Sequence, residues 1–294
     1  MTIVSAVGVN AAPAARVTVA IAFLDEMRFL ADAVDEVRRQ TLEAWRLILV
    51  DDGSTDGSSE IADEFARADP ERIAVVRHEG RVNRGLAASR NLAIHHASTE
   101  FLCFLDADDL WSPDKLVTQL DAFATYPDAV MVCGPSWHRP LGGPPPGELV
   151  AVCAGAPRLL RRGAFARMRM RGTVTTPPPS DVMYRLATLR EVGGVPEGPG
   201  VIEDQRTYVA VALRGPVAVL DRPLTTYHVR TDSLYGSTRD DGMQQVRTHR
   251  EFERWVVRHC ARRGLHGAAT IAALMERRLR RGMRRRLAPG HRGY

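Results

Sequence analysis

The stretch Phe101-Leu102-Cys103-Phe104-Leu105-Asp106-Ala107-Asp108-Asp109 decides the fold. Five consecutive apolar residues are too few for a helix. Broken off by an acidic turn, they predict a strand buried on both faces, as at the centre of a parallel sheet. Asp106 and Asp108 stand two residues apart just past that strand, so their carboxylates can face one divalent cation together. Mg²⁺ or Mn²⁺ prefers such oxygen donors and keeps positions for phosphate oxygens. The competing reading is a solvated turn, or a cap for a helix near Ser112-Pro113.

Upstream the same grammar repeats. Val17, Val19, Ile21 and Phe23 alternate with small residues and predict a first strand. Phe29, Leu30, Ala33, Val34 and Val37 recur at helical spacing up to Gln40. The run 46–50 predicts a second strand, ending at Asp51-Asp52-Gly53-Ser54-Thr55-Asp56-Gly57. Ile61, Ala62, Phe65 and Ala66 mark a helix stopped by Asp69-Pro70. Ile73 to Val76 predicts a third strand, and Gly85 opens a third helix. Alternating strands and helices imply an α/β fold with a mostly parallel central sheet flanked by helices. Ligands of open sheets sit beyond the carboxyl ends of the strands, which is where both acidic turns fall.

At the 51–57 turn, Asp51 and Asp52 are candidates to accept a base imide N–H and a ribose hydroxyl. Ser54 and Asp56 are expected to cap the next helix. Asn83-Arg84-Gly85 enters a helix N-terminus that favours anions, with Arg81, Arg84 or Arg90 in reach of a phosphate; surface arginines on an ordinary glycine turn are the plainer reading. Glu203-Asp204 stands before an apolar helix. Either carboxylate could take a proton from an attacking hydroxyl, and capping alone would account for both equally well.

The 294 residues carry 45% hydrophobic and 26% charged side chains, enough for a large core without staples. Cys103, Cys133, Cys153 and Cys260 show no ligand or redox spacing and read as reduced thiols of a cytosolic protein. Net charge is +5, and Lys115 is the only lysine. Abundant Ala, Arg, Gly and Pro point to coding bias, so the charge is no case for nucleic acid. No run is long enough to span a membrane, and residues 1–15 read as a disordered leader without a signal peptide's apolar segment. Proline-rich loops occupy 139–147 and 176–179. Beyond about residue 240 the chain reads as a helical, arginine-rich extension, with Trp255, Val256, Leu274, Met275 and Leu279 on its apolar stripe. Its Arg277, Arg278, Arg280, Arg281, Arg284, Arg285 and Arg286 suit a solvated helix, an anionic membrane surface or an acidic partner.

Together these pieces resemble the family 2 glycosyltransferases, which have the GT-A nucleotide-diphospho-sugar transferase fold. The resemblance covers residues 17–235. Residues 47–57 match Val-Asp-Asp-Gly-Ser-x-Asp-Gly, and 85–109 are similar to Gly-Leu-x-x-x-Arg-Asn followed by Leu-Asp-x-Asp-Asp. Residues 191–204 are similar to Glu-x-Gly-Gly … Glu-Asp, and 223–233 resemble Pro-Leu-x-x-Tyr. It implies a transferase domain over 16–235, with a donor half (16–112) and an acceptor half (113–235), before the extension at 236–294. It implies inverting transfer of a sugar from a nucleotide-sugar to a hydroxyl, with a UDP-sugar ahead of dTDP- or GDP-sugars, assisted by Mn²⁺ or Mg²⁺. Ala22, Phe23, Asp25, Asp51, Asp52, Arg84, Asp106 and Ala107 would bind the donor. Asp106, Asp108 and His228 would hold the metal; Asp204 would be the base, with Glu203 positioning it or the acceptor.

Two departures stand out. The first loop reads Ala22-Phe23-Leu24-Asp25 where the family has Pro-Thr-Tyr-Asn. Tyr227-His228-Val229-Arg230 replaces Tyr-Arg-x-His, so Arg230 stands at the usual histidine position. Arg230 could then meet the diphosphate, or His228 could supply the imidazole from a shifted register; a structural hydrogen bond is the plainer role for His228. Two rivals are a sugar nucleotidyltransferase, which would need a basic glycine-rich loop that 22–27 lacks, and a non-catalytic nucleotide-sugar-binding module. The acceptor (glycan, lipid-linked, protein or small metabolite) is not legible, and the expected location is cytoplasmic or peripheral to a membrane.

Overall fold

The computed structural model describes residues 15–198, 203–230 and 250–259. The expected alternation holds: β1 (Val17–Phe23), α1 (Leu30–Arg38), β2 (Trp45–Asp51), α2 (Ser58–Ala68), β3 (Ile73–Arg77), α3 (Leu86–His96) and β4 (Phe101–Phe104). Next come β5 (Leu110–Trp111), α4 (Lys115–Thr125), β6 (Met131–Cys133), β7 (Ser136–Pro140), β8 (Glu148–Val150), β9 (Arg158–Leu160) and α5 (Ala164–Arg171). The order ends with β10 (Met183–Arg185), α6 (Leu186–Glu191), α7 (Glu203–Ala212), β11 (Val217–Val219) and β12 (Thr225–Val229). Residues 250–259 form a further helical stretch, α8.

An eight-stranded sheet runs in the order β3-β2-β1-β4-β10-β6-β11-β9. The pairs β3–β2, β2–β1 and β1–β4 are parallel. β10 enters antiparallel between β4 and β6, which makes the second half mixed. The period-two pattern of β1 explains its central place. Val17, Val19, Ile21 and Phe23 pack with Leu30, Val34 and Val37 of α1 on one face. Ala20 faces the other layer, with Ile48, Val76 and the α3 residues Ala93 and Ile94. Burial on both sides favours the continuous apolar runs of β2 and β4.

A second sheet, β5-β12-β7-β8, lies beside the first, and its strands of two to five residues leave little periodicity to read. It carries His228 and the residues after the Asp106–Asp109 turn. Of the extension, only α8 falls within the description. Its Phe252 and Val256 pack on Ala166 and Met170 of α5, on Val209 of α7 and on Leu213 just after it. The leader through residue 14, Cys260 and the arginines from Arg277 to Arg286 lie outside the described residues. Cys103, Cys133 and Cys153 are buried free thiols. Among the described residues, no helix is long and apolar enough to cross a membrane.

Candidate active site

The register of β1, β2 and β4 brings three turns to one sheet edge, with Phe23 opposite Asp51. Asp51 is buried, and each of its carboxylate oxygens accepts two protein donors. Oδ1 takes the N–H groups of Gly53 (3.1 Å) and Ser54 (2.9 Å); Oδ2 takes the Ser59 hydroxyl (2.5 Å) and Arg77 Nε (3.3 Å). Burial alone would raise its pKa, but these bonds outweigh burial and hold the carboxyl below its ordinary range. Asp51 thus holds the turn together, and its four protein donors leave Asp52 the freer carboxylate of the pair.

Asp52 lies beside it with capacity to spare. Its Oδ1 accepts the Arg84 N–H (2.8 Å) and its Oδ2 the Gly85 N–H (2.9 Å), while His78 Nε2 stands 3.5 Å from Oδ1. The start of α3 was expected to attract a phosphate; the Asp52 carboxylate takes the two N–H groups just before it, those of Arg84 and Gly85. Arg84 contributes its backbone there, and its side chain points to solvent.

The first loop is buttoned to the second. Phe23 C=O accepts the Asp52 N–H (2.9 Å), and the Phe23 ring is buried in the core, so only backbone of Ala22-Phe23 can meet a ligand. Asp25 Oδ1 accepts the Thr55 N–H (2.7 Å), and the Asp25 N–H donates to Ser54 Oγ (3.1 Å). Asp25 thus shapes the loop through Oδ1 while remaining exposed, and Ser54 is drawn away from the capping role expected of it. Asp56 keeps that role, accepting the Ser58 N–H (2.9 Å) at the start of α2. Gly53 adopts φ +93°, and a Cβ there would lie 2.9 Å from the Arg81 carbonyl, so this turn admits only glycine.

The Asp106–Asp109 turn is fixed from beneath. Ser180 Oγ donates to Asp109 Oδ2 (2.5 Å) and accepts the Asp106 N–H (3.0 Å); Asp109 Oδ1 accepts the His228 N–H (2.9 Å). His228 Nδ1 donates to the Asp108 carbonyl, and its Nε2 accepts from Arg139 Nε (2.8 Å). Both ring nitrogens of His228 are engaged within the protein in this arrangement, the plainer of the two roles expected of it. Ala107 is buried beneath the turn, which leaves its backbone to face the cleft.

Above this floor, Asp106 Oδ1 accepts from Arg90 at 2.7 Å, and Asp108 Oδ2 lies 3.5 Å from Arg230. Arg230 also pairs with both Glu26 oxygens at 3.1 Å and lies over the Phe29 ring. Burial and the neighbouring Asp106 charge raise the pKa of Asp108. Burial together with both neighbours pushes Asp109 further. The turn thus concentrates negative charge that a cation would relieve. Among the described residues no group of three or more His, Cys, Asp or Glu could hold a metal. The donor set is the carboxylate pair Asp106 and Asp108, which fits Mg²⁺ or Mn²⁺ taking its other ligands from phosphate and water.

Arg90, on α3, is the connection that sequence reading missed. Its guanidinium is buried and reaches Asp106 and, at 3.7 Å, Glu203 Oε1 at the start of α7. Burial opposes its charge, but Asp106 and Glu203 more than compensate. Asp204 follows Glu203, its Oδ1 accepting the Gln205 N–H (2.7 Å). Burial first, and Glu203's charge second, push the Asp204 pKa to about 7. Asn91, next to Arg90, clamps the approach to α7 by donating to the Val195 carbonyl and accepting its N–H, both at 2.8 Å. The motif Arg90-Asn91 was visible in the sequence, but Glu203 and Val195 lie more than a hundred positions away, and Ser180 sat beside a proline-rich loop without any motif. Residues 199–202 are outside the described residues.

Comparison with known proteins agrees with this layout. The family model for glycosyl transferase family 2 matches residues 18–177. A putative teichuronic acid biosynthesis glycosyltransferase, TuaG of Bacillus subtilis, is 42% identical over 93 residues, 32% of this chain and 36% of that protein. An uncharacterized glycosyltransferase of Nostoc is 26% identical over 215 residues, 73% of this chain and 65% of its own length. The chain therefore spans between about a third and two thirds of these relatives. Among solved structures, S. aureus TarS in complex with UDP-GlcNAc superposes with a TM-score of 0.63 at 18% identity, over 82% of this chain and 66% of that one. The Pyrobaculum calidifontis mannosyltransferase PcManGT, in complex with GDP-Man and Mn²⁺, gives 0.56 at 20% identity, over 88% and 69%.

Proposed function

The chain belongs to glycosyl transferase family 2, and we propose that it is an inverting enzyme moving a sugar from a UDP-sugar to an acceptor hydroxyl with the help of Mn²⁺ or Mg²⁺. The carrying observation is the Arg90 bridge, which ties the metal-facing Asp106 to the α7 start that bears Asp204. One cleft then holds the donor end and the proton acceptor.

In this reading Asp52 accepts the base imide N–H, and the Ala22-Phe23 backbone lines the base. Asp106 and Asp108 would hold the cation, whose chemistry when bound would be to offset negative charge on the leaving diphosphate. Asp204 removes the acceptor proton as the acceptor oxygen bonds to C1 on the face opposite the leaving group, and the C1–O bond to the diphosphate breaks. A carboxyl titrating near 7 is matched to that task at neutral pH. Glu203, fastened by Arg90, keeps Asp204 in place and raises its proton affinity. The donor half 16–112 supplies the nucleotide contacts and the acceptor half 113–235 the base, consistent with a cytoplasmic enzyme using soluble nucleotide-sugars. The test is release of nucleoside diphosphate from UDP-, dTDP- and GDP-sugars with Mn²⁺ and with chelator. Mn²⁺-dependent release from a UDP-sugar is expected. Release from none of them, with or without acceptor candidates, contradicts the reading.

A further inference from the structure

Between Glu148 and Asp181 the chain has no acidic residue and six arginines, Arg158, Arg161, Arg162, Arg167, Arg169 and Arg171. All but Arg169 are exposed. They lie on β9, the turn after it and α5. α8 packs against α5 and adds exposed Arg250, Arg254 and Arg258. Five arginines elsewhere on the surface do meet carboxylates: Arg38 with Asp35, Arg72 with Asp69, Arg185 with Glu100, Arg214 with Glu191, Arg222 with Asp114. Among the described residues no ion pair joins any exposed arginine of α5 or α8 to an acid.

The spacing compounds this. Arg167 and Arg171 stand four apart on α5, as do Arg250, Arg254 and Arg258 on α8, so like charges stack along each helix and repel. The acids of α8 do not break the stripe: Glu253 is buried, and Glu251 is partly buried with its charge acting on Arg206. Apolar side chains are interleaved. Leu159 is exposed, and Met168 and Trp255 are partly so. Arginines with a tryptophan and aliphatic tips suit a phospholipid interface, whereas a soluble polyanion would make no use of the apolar tips. The chain beyond His259 continues in the same composition, with ten arginines and one acid, Glu276, over 260–294.

We propose that the α5–α8 face docks on an anionic membrane surface. α5 lies in the expected acceptor half and α8 in the extension packed on it, so docking would hold that half near acceptors carried in the bilayer. This goes beyond the sugar-transfer reading and does not depend on it.

The experiment is co-sedimentation of the full chain with vesicles of phosphatidylcholine and of a phosphatidylglycerol–phosphatidylcholine mixture. The protein is expected to sediment with the mixture only, and less at high salt. The triple substitution R161E/R167E/R171E should lower partition by at least about tenfold. Unchanged melting temperature and UDP binding would show that this variant is folded. Three results would overturn the proposal: no sedimentation of wild type with anionic vesicles, full binding by the folded triple variant, or release from vesicles by trace soluble polyanion such as heparin. If instead UDP binding fails while vesicle binding persists, the sugar-transfer reading falls and the docking face stands.

Discussion

Arg90 and Asp106 form a 2.7 Å ion pair that is buried on the arginine side and opens to the cleft on the aspartate side. Through it α3 holds both the Asp106 carboxylate and, by way of Glu203, the α7 start. The pair has a testable weight. Arg90→Met leaves Asp106 and Glu203 without their shared partner and should cost about 3 kcal/mol of stability, the scale for breaking a buried pair. Activity should drop further than the loss of folded protein explains, because Asp106 and Asp204 lose their common reference. Thermal melting beside steady-state rates on the folded fraction separates the two effects.

The pH profile should follow Asp204. Its pKa is raised to about 7, so the carboxylate form that accepts a proton grows as pH rises through that value. Below it, kcat/KM should fall about tenfold per pH unit. Glu203→Gln removes a like charge that raises the Asp204 pKa, so this limb should move to lower pH. Asp204→Asn should remove the limb and at least about a hundredfold of the rate. A limb that stays in place in Asp204→Asn would reassign the base.

Asp51 and Asp52 should separate cleanly in calorimetry. Asp51→Asn disturbs a carboxylate with four protein donors and should lower the melting temperature, with little change in UDP affinity. Asp52→Asn should weaken UDP by about tenfold, the scale of a lost charge-assisted hydrogen bond. Equal losses of UDP affinity in both variants would return Asp51 to the ligand.

His228→Gln tests whether the imidazole serves the fold or a metal. Its imidazole ties the Asp108 backbone to Arg139. Substitution should cost about 1 kcal/mol of stability, with Mn²⁺ affinity falling far less than in Asp108→Ala. Equal losses of Mn²⁺ in the two variants would restore His228 as a ligand.

The first half of the fold could be read because its signals are local. β1, β2 and β4 carry continuous or alternating apolar runs that end in acidic or glycine turns, so the shared edge of Asp52 and Asp108 followed from strand polarity. The second sheet was hidden because β5, β7, β8 and β12 are too short to show a period. Arg90 was hidden by company. In a chain so rich in arginine, one more on a helix carries no signal until burial and two distant carboxylates single it out. At His228 and Asp25 the residue type matched the chemistry, while partners that sequence order hides, Asp108 and Arg139 for His228 and Thr55 for Asp25, could not be read.

The most direct test is calorimetric titration of UDP into the full chain with Mn²⁺, repeated with chelator and with Asp108→Ala. A single cleft shared by Asp52, Asp106 and Asp108 predicts one UDP site per chain, much weakened both by removing the metal and by the substitution. UDP binding of equal strength in all three conditions, or none in the first, would contradict it.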